Sequence, residues 1–300
     1  MKLSVCIPVY NFDVRQLVYN LNDEIKRNKI NAEIILIDDA SESQFKSINE
    51  TLKNQVRDFI FLEKNIGRSK IRNLFLEYAV GEYFLFLDCD GKIIDPDFLK
   101  KYIQFIEQNP NAYVIYGGRT VCKNLPEDDY ILRWKFAVKR ENLAVSERAR
   151  KAYLSFQTNN FVIQKETLRK INFNSEFEKY GYEDLLFAME LKSKTIKINH
   201  IENPVFNNDI ETSKVYIKKV NESIESLARM LKNTFIKDKL SEIKLVRAYH
   251  FIKKTHSEFL FLAVFNLINS RIKKNLLSGN PNLRNLDMYK LGLLLGKMKN

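Results

Sequence analysis

Short apolar runs alternate with amphipathic segments along the first third of the chain, and this order restricts the fold more than any other feature. Four runs are rich in β-branched and aromatic residues and are predicted strands: 3–9, 32–37, 57–62 and 83–87. Three segments between them repeat apolar residues at helical spacing and are predicted helices: 14–27, 43–53 and 67–81. Three consecutive β-α repeats that lead into a buried strand predict a mostly parallel sheet with helices on both faces.

The remainder of the chain is less regular and ends in helices. Further predicted elements are helices 97–108 and 183–191, strands 112–116 and 161–163, and a polar loop at 126–129. From Ser213 onward nearly every segment has a helical pattern, and no internal repeat or Gly-, Ser- or Pro-rich linker precedes it. We therefore predict an α/β domain over 1–212 and an all-helical extension over 213–300 that packs on it.

The formal charge of +12 is concentrated in the helical extension. From Lys214 to Asn300 there are 18 Lys and Arg against 6 Asp and Glu, which accounts for the whole excess. Such a segment is either a solvated helical surface or a binding surface for an anionic partner. The three cysteines lack any CxxC spacing, so neither a disulfide framework nor a zinc site is predicted.

The sequence shows no signal for export and no membrane span. The N-terminal apolar run is short and lacks a small-residue cleavage site. The most apolar stretch, 259–265, is much shorter than the ~20 residues that cross a bilayer. We therefore expect a cytoplasmic protein that is either free or bound to a membrane surface.

Polar clusters follow three of the predicted strands, where ligands bind in open parallel sheets. They are Pro8 to Asn11, Asp38 with Asp39, and Asp88 with Asp90. Two carboxylates delivered by one buried strand are costly unless a cation or hydrogen-bond donors satisfy them, and Mg²⁺ or Mn²⁺ prefers such oxygens. No GxGxxG or GxxxxGK[ST] motif is present, which argues against dinucleotide-binding and P-loop folds.

Five motifs occur in the order typical of one enzyme family: SVCIPVYN, IILIDDAS, NIGRSKIRN, FLFLDCDG and GYEDLLF. In these motifs the first 210 residues or so resemble a family-2 glycosyltransferase. The resemblance implies the GT-A fold, a Rossmann-like, mostly parallel sheet flanked by helices. It also implies that 1–110 is the nucleotide-sugar-binding half of the α/β domain and that 111–212 is the acceptor-binding half.

The resemblance assigns expected roles to individual residues. The donor nucleotide would be bound by Pro8, Tyr10, Asp38, Asp39, Gly67, Arg72 and Asp88. A divalent metal, Mn²⁺ or Mg²⁺, would be held on the diphosphate by Asp90 together with Asp88. Asp184, next to Glu183, would be the general base that deprotonates the acceptor hydroxyl, and attack opposite the departing diphosphate would invert the anomeric centre.

The sequence departs from the family pattern at the metal site. Gly91 replaces the acid that often follows the DxD motif, and Asn207 stands where many relatives carry a metal-binding His. Asn207 or Asp209 can still offer an oxygen ligand. Asn160, in a segment that borders the acceptor pocket in relatives, and Trp134, in the variable region, are the expected acceptor contacts.

The predicted function is inverting transfer from a UDP-sugar to a glycan or lipid-linked glycan, in bacterial surface polysaccharide or glycolipid synthesis. Two alternatives stay open: a catalytically weakened GT-A domain that serves as a binding or scaffold protein, and a nucleotidyltransferase. No nucleic-acid partner is expected.

The helical extension carries two segments that mix apolar and basic residues. These are 255–277, with Arg271, Lys273 and Lys274, and 288–298, with Leu291, Leu294 and Leu295. Both are expected to lie in a lipid interface, where apolar burial and basic residues add affinity. Packing of the same faces on the catalytic domain, or in a homodimer, is the alternative.

Overall fold

A computed structural model describes residues 1–176, 181–207 and 210–299. Its first third has the predicted β-α order: β1 Leu3–Val9, α1 Arg15–Arg27, β2 Ala32–Asp38, α2 Ser43–Glu50, β3 Asp58–Phe61, α3 Arg68–Tyr78 and β4 Tyr83–Leu87. The strands match the predicted ones to within one or two residues. The apolar and helical periodicities were therefore sufficient to predict this region.

The middle of the chain contains shorter elements. They are β5 Lys92–Ile93, α4 Phe98–Gln108, β6 Val114–Tyr116, β7 Arg119–Thr120, α5 Ile131–Phe136, α6 Val145–Arg150, β8 Asn160–Gln164, α7 Lys165–Lys170, α8 Glu183–Ser193, β9 Ile198–His200 and β10 Val205–Phe206. A 3-10 turn at Asp128–Tyr130 begins inside the predicted loop, and a π-helical turn covers Ala137–Glu141. The sequence did not predict β5, β7 and β10, because two-residue strands carry no periodicity; they form a separate small sheet.

The main sheet has seven strands in the order β3-β2-β1-β4-β8-β6-β9. Strands β3, β2, β1 and β4 are mutually parallel, whereas β8 runs antiparallel to both β4 and β6. The chain leaves β1 toward β2 on one side and returns to β4 on the other, so the strand order reverses at β1. A cleft at the carboxyl ends of the strands is expected beside such a reversal.

The central strands are buried on both faces, and alternate residues enter different cores. In β1, Val5 and Ile7 belong to the cluster that includes α1 and α4, whereas Cys6 belongs to the cluster that includes α3 and α7. The second cluster is rich in stacked aromatic rings, such as Phe173 and Phe187 with centroids 4.0 Å apart. Burial on both faces explains why these strands read as continuous apolar runs.

Four α-helices and a 3-10 turn form the C-terminal part: α9 Ser213–Lys232, the 3-10 turn Lys237–Leu240, α10 Lys244–Lys254, α11 Glu258–Leu276 and α12 Leu283–Lys299. Their apolar faces form one cluster that also takes in Leu132 of α5 and Leu186 of α8. The extension therefore packs on the α/β part, as expected. None of the helices in the described ranges has the length and apolarity needed to cross a membrane.

One expectation for the extension is wrong. The sequence of 288–298 predicts a helix in a lipid interface, but Leu294 and Leu295 of α12 are buried against the neighbouring helices. The apolar residues left exposed lie on α11 instead, where Phe259 is 81% and Leu267 is 82% accessible. The cause is tertiary: α12 packs against α9, α10 and α11, so its apolar face is already covered.

Candidate active site

A cavity of about 400 Å³ opens at the carboxyl ends of β1, β2 and β4. We call it the strand-end cavity. Most of the residues predicted to bind a donor nucleotide or its metal line it: Pro8, Tyr10, Asp39, Gly67, Arg72, Asp88 and Asp90. Residues from four separate motifs thus meet at one edge of the sheet, where the strand order reverses.

Asp39 is held by the turn that starts α3. Its carboxylate accepts hydrogen bonds from the backbone N–H of Ile66 at 2.7 Å and of Gly67 at 3.2 Å. Gly67 has a φ of +80°, which glycine adopts without strain. Burial raises the pKa of Asp39. Asp38 is fully buried outside the cavity and accepts from the backbone N–H of Ser41 at 2.8 Å, so it orders the turn that carries Asp39.

Arg72 connects α3 to the end of β4. Its side chain is almost completely buried, and one of its Nη atoms donates to Oδ1 of Asp88 at 2.8 Å. A buried guanidinium paired in this way fixes the carboxylate that it contacts. Asp88 is therefore a rigid acceptor in the wall of the strand-end cavity.

Asp90 is the best candidate for a metal ligand. Its carboxylate accepts from Nδ2 of Asn207 at 2.9 Å, and its pKa is raised by burial and by the nearby charge of Asp88. Two close carboxylates of which one is poorly hydrated suit a divalent cation, so these residues fit the expected metal. Among the described residues no three His, Cys, Asp or Glu side chains cluster as a metal site, and Asp209 lies outside those residues.

A second cavity of about 670 Å³ lies between α5, α8 and the C-terminal helices. We call it the helical cavity. Arg68 and Glu183 line both cavities, so the two adjoin. Glu183 and Asp184, the predicted catalytic acids, both lie in the wall of the helical cavity.

The turn before α8 positions Glu183 and Asp184. Tyr182, immediately before the helix, has a φ of +67°, and Gly181 has a φ of +106°. A Cβ on Gly181 would lie 2.3 Å from Cβ of Ser223 on α9, so only glycine fits between the turn and that helix. In the GYED motif the glycine is therefore required for packing against α9, and the two acids provide the carboxylates.

Asp184 has the environment of a general base. Its two carboxylate oxygens accept from Thr158, with 3.1 Å to the hydroxyl and 3.4 Å to the backbone N–H. Burial and then the charge of Glu183 raise the pKa of Asp184 to about 6, against the opposing effect of Arg72 and Arg68. A carboxylate with such a pKa is ionised at neutral pH and accepts a proton more readily than an ordinary aspartate.

Glu183 is tied to its surroundings on two sides. It accepts from the backbone N–H of Gly181 at 2.7 Å and pairs with Arg68 at 3.5 Å. Arg68 thus adds a cation where the two cavities meet. The sequence did not single out Arg68, although it follows Gly67 in a quoted motif. Thr158 lies in the segment that resembles the border of the acceptor pocket, but the sequence predicted no role for it.

Neither predicted acceptor contact lines the strand-end cavity or the helical cavity. Asn160 is fully buried; it accepts from the hydroxyl of Tyr102 at 2.7 Å and donates to the carbonyls of Gly118 at 2.9 Å and Asn203 at 2.8 Å. Trp134 lines neither cavity, and its Nε1 donates to the carbonyl of Cys122 at 2.8 Å. In this structure Asn160 joins strands and loops in the interior, where its amide hydrogen-bonds Tyr102, Gly118 and Asn203, and its predicted contact with an acceptor stays a prediction.

Comparison with known proteins agrees with the fold and the motifs. The family model described as glycosyl transferase family 2 matches residues 4–224. A cholesterol galactosyltransferase of Borreliella burgdorferi is 27% identical over 223 residues, which cover 69% of this chain and 60% of that protein. An uncharacterised glycosyltransferase of Rickettsia felis is 32% identical over 108 residues, or 36% of this chain and 18% of that protein. The chain therefore matches less than two thirds of the length of either relative.

Two solved structures share the fold at low sequence identity. TarS 1-349 of S. aureus in complex with UDP-GlcNAc has a TM-score of 0.53 at 20% identity, covering 97% of this chain and 90% of that one. The mannosyltransferase PcManGT of Pyrobaculum calidifontis, in complex with GDP-Man and Mn²⁺, has a TM-score of 0.57 at 14% identity, covering 99% and 85%. With the motifs on the strand ends and a family match over most of its length, the chain belongs to glycosyl transferase family 2 and has the GT-A fold.

Proposed function

We propose that this protein transfers a sugar from a nucleotide-diphosphate sugar to an acceptor hydroxyl, with inversion at the anomeric carbon. The observation that carries the proposal is the position of Asp184, a carboxylate of raised pKa in the wall of the helical cavity, beside the residues that both cavities share. One cavity then binds the donor and the other the acceptor, and the base lies where they adjoin.

The strand-end cavity is proposed as the donor site. Asp39 would accept from the base, and Asp88, fixed by Arg72, would accept from the ribose, because both carboxylates are held in place by donors from the protein. We propose UDP as the nucleotide, supported by the family match and by the structural neighbour that binds UDP-GlcNAc.

The reaction follows from the two cavities. The acceptor hydroxyl gives its proton to Asp184 while its oxygen forms a bond to the anomeric carbon of the donor sugar. The bond from that carbon to the diphosphate oxygen breaks on the opposite side, and its electron pair leaves with the diphosphate. Attack from opposite the leaving group inverts the configuration. Arg68, next to Glu183, adds positive charge beside the donor site.

A divalent metal is part of the proposal. Asp90, with Asp88 and the amide oxygen of Asn207, would hold Mn²⁺ or Mg²⁺, which would neutralise charge on the leaving diphosphate. Asn207 now donates to Asp90, so its amide would have to rotate to offer oxygen. This contact, and Gly91 in the DxD segment, favour a catalytically weakened binding protein as the second candidate; the family match removes the nucleotidyltransferase alternative.

Calorimetry on the full chain tests the donor site. UDP and GDP are titrated with and without Mn²⁺, and the chain is then incubated with the corresponding UDP-sugars while UDP release is measured. We expect UDP to bind and Mn²⁺ to tighten it. Absence of binding by either nucleotide diphosphate at saturating metal would contradict the proposal, and binding without any UDP release would favour the weakened protein.

We also propose that α11 rests on the surface of an anionic membrane. Its exposed apolar residues Phe259, Leu260, Val264 and Leu267 precede Arg271, Lys273 and Lys274 along the same helix, a combination that suits anionic lipid. Sedimentation with phosphatidylglycerol and with phosphatidylcholine vesicles tests this. We expect pelleting with the anionic vesicles alone, reduced by Leu267→Ser; a concentration-dependent dimer with no pelleting would assign the surface to a second copy instead.

A further inference from the structure

Much of the wall of the helical cavity is apolar. Leu245, Phe261, Met288 and Leu291, all from the C-terminal helices, contribute to it together with Phe136 and Tyr216. Sugar hydroxyls against such a wall would lose hydrogen bonds to water without replacement, which is unfavourable. Hydrocarbon against the same wall is favourable, and a cavity of about 670 Å³ has room for more than one sugar ring.

Most cations around this cavity are already neutralised. Arg133 pairs with Glu141 at 2.9 Å, and Arg140 pairs with Asp287 at 2.9 Å. A ligand anion at either residue would compete with a carboxylate that the protein supplies. These two arginines therefore stabilise the wall and leave little net charge for a ligand.

Lys290 of α12 is different. Within the described ranges its ammonium makes no hydrogen bond or ion pair, and it lies 4.7 Å from the centre of the Phe136 ring. Burial lowers the pKa of Lys290 to about 8, so the group still carries its charge at pH 7. The nearby carboxylates of Asp287 and Glu141 already pair with Arg140 and Arg133, so an anionic ligand would offset the cost of burying this further cation.

We propose that the helical cavity binds an anionic lipid with a free hydroxyl, and that this lipid is the acceptor. Its hydroxyl would approach Asp184, its anionic group would pair with Lys290, and its hydrocarbon would pack on Phe261 and Leu291. The proposal rests on the proposed function and names its acceptor class. A soluble glycan would gain no apolar burial from this wall, so a lipid is the expected acceptor.

The surface next to the cavity agrees with an acceptor drawn from a membrane. Phe261 lines the cavity, and its neighbours Phe259 and Leu260 on the same turn of α11 are exposed. One turn of helix therefore joins the apolar wall to an apolar outer surface. A lipid can pass between two such surfaces without exposing its chain to water.

Binding of short-chain lipids to the full chain tests the proposal. Dioctanoyl phosphatidylglycerol has hydroxyls, a phosphate and apolar chains, and is used below its micelle concentration. Glycerol 1-phosphate lacks the chains, and dioctanoyl phosphatidylcholine lacks the free hydroxyls and the net charge. We expect calorimetry at pH 7 to show binding of phosphatidylglycerol at least about tenfold tighter than of either comparison compound, because phosphatidylcholine lacks the net charge and glycerol 1-phosphate lacks the apolar chains.

Matched variants locate the site. Lys290→Met should weaken phosphatidylglycerol binding by about tenfold, whereas Lys299→Met, which removes the same charge from an exposed position on α12, should not. Phe261→Ala should weaken it as well, and Phe251→Ala, an exposed position on α10 outside the helical cavity, should leave it unchanged. UDP affinity, measured in every variant, should stay constant and shows that each protein is folded.

Two results would overturn the proposal: phosphatidylglycerol binding no tighter than glycerol 1-phosphate, or undiminished binding by Lys290→Met. The donor measurement keeps the two hypotheses apart. Loss of UDP binding and UDP release, with phosphatidylglycerol still bound in a Lys290-dependent way, would contradict the transferase function and support the lipid site.

Discussion

The strand-end cavity and the helical cavity adjoin at Arg68 and Glu183, yet they are built in different ways. The first is made by the ends of consecutive β-α units within the first 90 residues, and its acids are held by backbone N–H groups and a buried arginine. The second gathers side chains from α5, α8 and the C-terminal helices, and most of its wall is apolar.

This difference separates two tasks. A cavity built from strand ends and tight turns is rigid and polar, which suits a ligand of fixed chemistry such as a nucleotide diphosphate. The lining of a cavity between helices depends on the side chains of those helices. Such a cavity therefore suits the acceptor, which can differ from one relative to another.

The largest effect is expected from Asp184→Asn. An amide does not accept the proton of the acceptor hydroxyl, so UDP release in the presence of acceptor should decrease by ~10²-fold or more. UDP affinity should remain within about twofold, because Asp184 lines only the helical cavity. Glu190→Gln on the same helix, an acid outside both cavities, is the control. Equal losses of UDP affinity and turnover would make Asp184 a donor-site residue.

Thermal unfolding of the same variant separates a catalytic role from a structural one. The pKa of Asp184 is raised from 3.8 to about 6 in the folded state, so its ionisation costs stability increasingly as the pH rises between those values. At pH 7 the asparagine avoids that cost. The Tm of Asp184→Asn should therefore not decrease, and a large decrease would show that the carboxylate holds the fold together.

A smaller effect is expected in the strand-end cavity from Asp90→Asn. Loss of a charged ligand should weaken UDP binding in Mn²⁺ by roughly 10-fold to 100-fold, with little change in the absence of metal. Asp95→Asn, an acid that lies outside both cavities and pairs with Lys101, is the matched control. If Mn²⁺ tightened UDP equally in the wild type and in Asp90→Asn, the metal would lie elsewhere.

The pH dependence should differ between the two cavities. Asp184 acts only when ionised, so kcat/KM should rise about tenfold per pH unit below pH 6 and become level above it. A pH series of steady-state rates at constant metal measures this, with UDP affinity determined at each pH. A rising limb centred near pH 4 would mean that the environment of Asp184 does not raise its pKa in solution.

The smallest effect concerns two glycines of α12. A Cβ on Gly292 would lie 2.5 Å from the Phe265 ring, so Gly292→Ala should lower the free energy of unfolding by roughly 1–3 kcal/mol. Gly296 has nothing within 4 Å of such a Cβ, so Gly296→Ala should raise it by up to about 1 kcal/mol through helix propensity. Urea unfolding measures both. Gly292→Ala should also weaken lipid binding but not UDP binding. Weaker UDP binding with unchanged lipid binding would contradict the assignment of the two ligands to separate cavities.

The sequence by itself determined the architecture of the first third of the chain and the polar side of the site. Period-2 and helical repeats are local, so β1 to β4 and their helices could be predicted, and acids placed directly after strands must meet at one sheet edge. For the same reason the predicted residues Asp39, Asp88 and Asp90 share a single cavity.

Only the tertiary structure decided the rest. Three features depend on segments far apart in the chain: the burial of Asn160 between strands, the covered face of α12, and the position of the Lys290 ammonium over the Phe136 ring. A helical pattern shows that one face is apolar, but not whether protein, lipid or a ligand covers it. That choice depends on how neighbouring helices pack, because apolar burial is non-directional and favours whichever surface is within reach.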